Sequence, residues 1–126
     1  MQTRDQKYAA DAYQRVEAIA KDESIGQTER TRYGSMAHKL PVLIRIAGLT
    51  QALEFVNARG KDGHKRLLKD LATTVGKPEI LVADARNTEL SDYIYLTQQV
   101  MAALLWYKRF AQSVLHIEQG EKGDEE

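Results

Sequence analysis

The chain has 126 residues, 43% of them hydrophobic and 29% charged, which is the balance of an ordinary globular domain and enough for one core but not two. It has no cysteine, which excludes a disulfide framework and any cysteine-ligated zinc or iron–sulfur site. Its formal net charge of zero conceals an uneven distribution: residues 30–69 carry nine bases against two acids, while Glu118 to Glu126 carry five acids and one base.

The opening stretch, MQTRDQKYAADAYQ, is charged from residue 4 and lacks the apolar centre of a signal peptide. No apolar run approaches the roughly 20 residues of a membrane-spanning helix. A cytoplasmic chain with no membrane partner is therefore expected. Thr3 and Gln6 have the spacing of a capping box. Tyr8, Ala12, Val16 and Ile19 then recur at steps of three and four, which predicts an amphipathic helix over about 4–22, broken near Gly26.

Thr28 is positioned to cap a second helix with the stripe Tyr33, Met36, Ala37 and Leu40. Pro41 suits a first helical turn better than a helix interior, so a boundary or kink is expected at 39–41. A second bend is expected at Gly48, followed by Leu49, Ala52, Leu53 and Val56 and a stop near Gly60. Three helical pieces are thus predicted between 28 and 60. The basic turn RGKDGHKRLLKDL leads into a short helix with Leu67, Leu68 and Leu71 as its apolar edge, ended by Gly76 and Pro78. Ile80, Leu81 and Val82 fit a strand or a helix by periodicity, but a lone strand has nothing to pair with, which favours a helical or irregular segment.

From Asp92 to about His116 there is no Gly or Pro, and this is the longest predicted helix. Its expected inner stripe is Ile94, Met101, Leu104, Leu105, Ala111 and Leu115, widened by Tyr93, Val100, Tyr107 and Val114. Trp106 and Phe110 make a second apolar patch, either packed on the first helix or contacting a partner. The expected architecture is all-α, a single compact helical bundle of five to seven helices over residues 1–117, followed by an acidic disordered tail over 118–126.

Chemistry-bearing patterns are scarce. His38, His64 and His116 are far apart and none has a second ligand at i+3 or i+4, so no metal is expected. No glycine-rich loop follows a strand, and Ser35 with His38 lacks an orienting acid and an oxyanion site, so no catalytic residue, cofactor or small-molecule substrate is expected either. The basic segment is either a solvated face or the electrostatic footprint of a polyanion. Lys39, Arg45, Arg59, Lys65, Arg66, Lys69, Lys108 and Arg109 are the candidate nucleic-acid-binding residues, with Lys108 alternatively a snorkelling stem at the rim of the apolar stripe. With no recognition helix evident, backbone contact by charge and shape is all they imply.

YGSMAHKLPVLIRIAGLTQALEFV (33–56) together with DYIYLTQQVMAALLWYKRFAQSVL (92–115) resembles the small subunit of the Cmr (type III-B) CRISPR–Cas effector complex. The pattern lies in Tyr33-Gly34, Lys39-Leu40-Pro41, Gly48-Leu49 leading to Leu53 and Phe55, and the run from Trp106 to Phe110; the stretch 73–90 departs from it. The resemblance implies a non-catalytic, all-helical structural subunit. It implies as partners the backbone and large subunits, further copies of itself, and the guide and target RNA. The sequence is read by base pairing and the protein holds backbone and shape, as in another guided system. Trp106 and Phe110 would then be partner contacts. The other readings are a stand-alone helical adaptor for protein or nucleic acid, and a small helical enzyme, which would need polar residues clustered inside the bundle.

Overall fold

The computed structural model describes residues 1–120, and Thr3 opens its first helix, α1 (Arg4–Lys21), with both halves of a capping box: its hydroxyl accepts from the Gln6 amide and its amide donates to the Gln6 side chain. Tyr8, Ala12, Val16 and Ile19 are the buried face, as their spacing predicts. Among the described residues five more helices follow: α2 (Gln27–Ala47), α3 (Leu49–Arg59), α4 (Asp62–Thr74), α5 (Leu81–Asn87) and α6 (Leu90–Ser113). The fold is an all-α bundle with a long C-terminal helix. Residues 121–126, most of the expected acidic tail, lie outside the described residues.

The middle of the chain holds two helices rather than three. α2 starts from Gly26, not Thr28, and runs unbroken through Pro41 to Ala47. A proline inside a helix costs one hydrogen bond and roughly 3 kcal/mol. Here both halves of α2 are clamped: Tyr33, Met36, Leu40 and Ile44 are all at most 4% exposed, against α3, α4 and α6. That burial outweighs the local preference. The expected bend at Gly48 is present, at φ 88°, a conformation that favours glycine.

α5 settles the ambiguity as helix for Leu81 and Val82, with Ile80 as its N-cap: Leu81 and Ala85 are buried, and the Thr50 hydroxyl donates to the Ala85 carbonyl at 2.9 Å. α6 begins at Leu90 and ends at Ser113, short of His116. Its inner face is Leu96, Val100, Ala103, Leu104, Tyr107 and Ala111. Ile94 and Leu105, expected inside, are 51% and 44% exposed. The helix is apolar on most sides, so periodicity alone phases it poorly.

α2 and α6 run antiparallel. At one end His38 Nε2 donates to the Ile117 carbonyl at 2.8 Å; at the other the Thr50 amide, just past α2, donates to the Tyr93 hydroxyl at 3.0 Å. α1 packs along α6, and α4 closes the bundle against α1, α2 and α3. No helix of the described residues is long and apolar enough to cross a membrane.

Candidate nucleic-acid interface

α4 begins against α2 at Gly63. A Cβ there would lie 2.4 Å from the Glu29 carbonyl oxygen, so only glycine permits this approach. The Gly63 amide donates to Glu29 Oε1 at 2.7 Å, which satisfies one of the orphan amides at the start of α4 and sets a carboxylate at its positive end. Glu29 Oε2 pairs with the Arg32 guanidinium, which is buried. This junction fixes the first two turns of α4 beside the corner between α1 and α2, and a cleft of about 350 Å³ lies between them.

Ile19, Ile25 and Tyr33 give the cleft its apolar walls, and Lys65, Arg66 and Lys69 its basic lip. Arg66 is partly committed: its Nε donates to Asp70 Oδ1 at 3.3 Å. It also lies near Asp22, whose carboxyl is held below the usual value first by the Ser24 hydroxyl and amide and then by Arg66 and Arg30. Lys65 and Lys69 are exposed, and neither ammonium has a hydrogen-bond or ion-pair partner among the described residues. Being four apart on one helix, they face the same way and repel.

Of the eight basic residues singled out from the sequence, the structure brings Lys65, Arg66 and Lys69 together at this cleft, and the other five do not line it. Lys39 is half-buried on α2, and Arg45 is exposed in that helix's last turn. Arg59 ends α3 with its guanidinium 5.3 Å from the centre of the Phe55 ring. Lys108 is half-buried on α6, and Arg109 is exposed there, 5.5 Å over the Trp106 ring. Trp106 and Phe110 are half-buried and stack at 6.0 Å, while Phe110 meets Tyr13 of α1 edge-on at 5.3 Å.

Two arginines counted toward the basic excess are used internally. Arg30 donates to the carbonyls of Ile19 (3.2 Å) and Asp22 (2.9 Å), closing the C-terminal end of α1, and Arg32 is held by Glu29. Glu29 and Asp62 also line the cleft, and the sequence pattern did not single either out as part of a site. Asp70 had a visible signal, because it falls on the same side of α4 as Leu67 and Leu71.

Asp70 belongs to a polar chain through the bundle. The Tyr33 hydroxyl donates to Asp70 Oδ2 at 2.7 Å. The Tyr107 hydroxyl donates to Thr74 Oγ1 at 2.7 Å, and Thr74 in turn donates to Asp11, which also accepts from Arg15 Nε at 2.9 Å. Burial raises the Asp70 carboxyl above its ordinary value despite Tyr33 and Arg66. Burial, then the Asp70 charge, pushes the Tyr33 phenol well up, and burial raises that of Tyr107. Each hydroxyl in the chain is engaged by another member, and the chain links α1, α2, α4 and α6. Among the described residues no group of three His, Cys, Asp or Glu side chains is placed to hold a metal ion.

Among the described residues the geometry defines a small six-helix bundle with a basic-lipped cleft and apolar side chains exposed along its longest helix. Residues 4–114 match the family described as CRISPR-associated protein (Cas_Cmr5), and the chain belongs to that family. It is 48% identical over 117 residues to the CRISPR system Cmr subunit Cmr5 of Thermus thermophilus, covering 91% of this chain and 98% of that one. The X-ray crystal structure of a CRISPR-associated Cmr5 family protein from the same organism superposes with a TM-score of 0.81 at 48% identity, over 91% of this chain and 99% of the other.

Proposed function

We propose that this chain is a non-catalytic structural subunit of a type III-B (Cmr) RNA-guided complex directed at foreign RNA, acting in the cytoplasm, and that it holds RNA backbone through the basic lip of α4. Family membership supports the subunit role. The observation that carries RNA contact is the Lys65–Lys69 pair: two like charges on one face, beside Arg66, with no acid partner among the described residues. Such an arrangement costs stability unless an anion arrives, and a phosphate backbone supplies one. Lys39, Arg45, Arg59, Lys108 and Arg109 extend the charged surface to other helices.

The partners in this reading are the other Cmr subunits, further copies of this chain, and guide and target RNA. Protein contact falls to the Tyr13–Trp106–Phe110 group and to Leu90, Ile94 and Leu105, which are exposed along α6. The test is target-RNA affinity of the assembled complex carrying Lys65→Glu and Lys69→Glu. Arg66 is kept because it neutralises the buried Asp70. The expected result is weaker binding with a shallower salt dependence, by about 0.7 in the log–log slope per lost single-strand phosphate contact. Unchanged affinity and slope at low salt would overturn the assignment.

A further inference from the structure

Resting on that reading, we infer that the cleft between the α1–α2 corner and α4 seats one unstacked nucleotide of single-stranded RNA, the base inside and its phosphates across Lys65 and Lys69. Three features point to this occupant. At about 350 Å³ the cleft sits at the small end of ligand pockets, which suits one nucleotide and not a helix or an extended peptide. Of its apolar walls, Ile19 and Tyr33 are each 1% exposed, so half-buried Ile25 offers the surface on which a base would lie, with Ile19 and Tyr33 beneath it, while the lip is cationic. The ligand must therefore combine an apolar body with a negative charge.

The third feature is the placement of Asp62 at the end where α4 begins, with the lysines one and two turns further on. Glu29 beside it is already held by the Gly63 amide and Arg32, so the Asp62 carboxylate is the one left to act on a ligand. It repels a phosphate toward the lysines and leaves its own end to the neutral base edge, whose N–H groups it can meet. An acidic peptide would instead place its own carboxylates against Asp62. Everted bases held in snug apolar pockets, with the backbone on a charged lip, are an established mode of single-strand binding.

The test uses the full chain with carbon-13-labelled isoleucine methyls at low salt. Hexa-adenylate should shift the Ile25 and Ile19 δ-methyls upfield through the ring current of the base, together with the amides of Lys65 and Lys69. A hexamer of abasic ribose phosphates should move the lysine amides alone and bind roughly tenfold more weakly, in line with the low end of what a stacked base contributes. Ile25→Ser should erase the difference between the two ligands, while Lys65→Gln with Lys69→Gln should weaken both. Equal binding of the two hexamers with silent isoleucines would overturn the base seat while sustaining backbone contact. No response of α4 to either ligand would remove RNA contact and the seat together. A hexaglutamate peptide that moves the Ile25 methyl and displaces the RNA would give the cleft to a protein partner and overturn the proposal.

Discussion

Gly34 and Ile117 form a hole and its plug: a Cβ on Gly34 would stand 2.7 Å from Ile117 Cδ1, with Ile117 Cβ and Cγ2 at 3.0 and 3.1 Å. Ile117 is 2% exposed, its amide donates to the Ala111 carbonyl at 3.0 Å, and its carbonyl accepts from His38 one turn along α2. The segment after α6 thus turns back onto α2, through His116 at φ 61°, and locks the antiparallel pair.

Gly34→Ala should therefore destabilise the chain by about 1–3 kcal/mol, the usual cost of overpacking, although alanine is the better helix former. Ile117→Ala should cost about 2–4 kcal/mol through the vacated space. In the double variant the alanine at 34 meets a shortened neighbour, so the two losses should be less than additive by at least ~0.5 kcal/mol. Urea midpoints of the four proteins check this. Simple additivity would mean that Gly34 is not there to admit Ile117.

Gly63→Ala poses a harder steric problem, since what the new Cβ would strike is the Glu29 carbonyl, which is backbone and cannot swing away. A loss of about 3 kcal/mol is expected, at the upper end for overpacking, with the amide–Glu29 bond displaced as well. Gly26 is the contrast: nothing lies within 4 Å of its Cβ position and it is the N-cap of α2 without a side-chain cap. Gly26→Ser should gain a few tenths of a kcal/mol. Thermal unfolding of the two variants should move in opposite directions.

These contacts also mark what was legible in the sequence. Tyr33, Met36, Leu40, Ile44, Leu49 and Leu53 are all core, because helical period alone demands burial of that stripe. Pro41 misleads because the proline rule is local, whereas α2 is held from three sides. On α6 Val100, Leu104, Tyr107 and Ala111 are buried as expected, whereas Ile94 and Leu105 were placed inside because the outer side of the helix is apolar too. Lys65, Arg66 and Lys69 were legible as charge on one short helix. Their cleft was not, since Glu29 meets Gly63 across 34 residues and Tyr33 meets Asp70 across 37, and no local pattern encodes those meetings. Arg30 and Arg32 overstated the surface charge for the same reason.

The polar chain predicts a specific coupling. Thr74→Val removes both the acceptor of the Tyr107 hydroxyl and a donor to Asp11, leaving the buried phenol unpaired. A loss of about 1–3 kcal/mol is expected for that stranded group, and adding Tyr107→Phe should recover part of it. If the double variant is less stable than Thr74→Val alone, the Tyr107–Thr74 bond is not what stabilises this junction.

Alkaline stability follows from the two buried phenols. Both are raised above the ordinary 10.0 in the folded chain, whereas the unfolded chain ionises near that value. Above pH 10 the native state therefore keeps protons that the unfolded state has lost, and stability must fall as pH rises. The slope is about 1.4 kcal/mol per pH unit for each tyrosine. Below pH 9 these groups should contribute no slope. Urea midpoints at pH 8, 10 and 11 should show the decline in the parent and a shallower one in Tyr33→Phe/Tyr107→Phe, even though that variant starts from lower stability. An equally steep fall in both would remove the phenols as the cause.

The lysine pair gives a prediction in which stability and binding move apart. Lys65 and Lys69 repel at i,i+4 and neither has an acid partner among the described residues, so Lys65→Gln/Lys69→Gln should leave stability unchanged or raise it by about 0.2–0.5 kcal/mol at low salt. The gain should vanish as salt screens the repulsion. The same variant should weaken RNA binding, because the charge that costs the free chain is the charge a phosphate neutralises. Urea titrations at about 20 mM and about 500 mM salt, set beside RNA affinity on the same preparations, separate the two effects. A surface kept only for solubility would show no loss of affinity, whereas a binding lip must lose affinity while stability is held or raised.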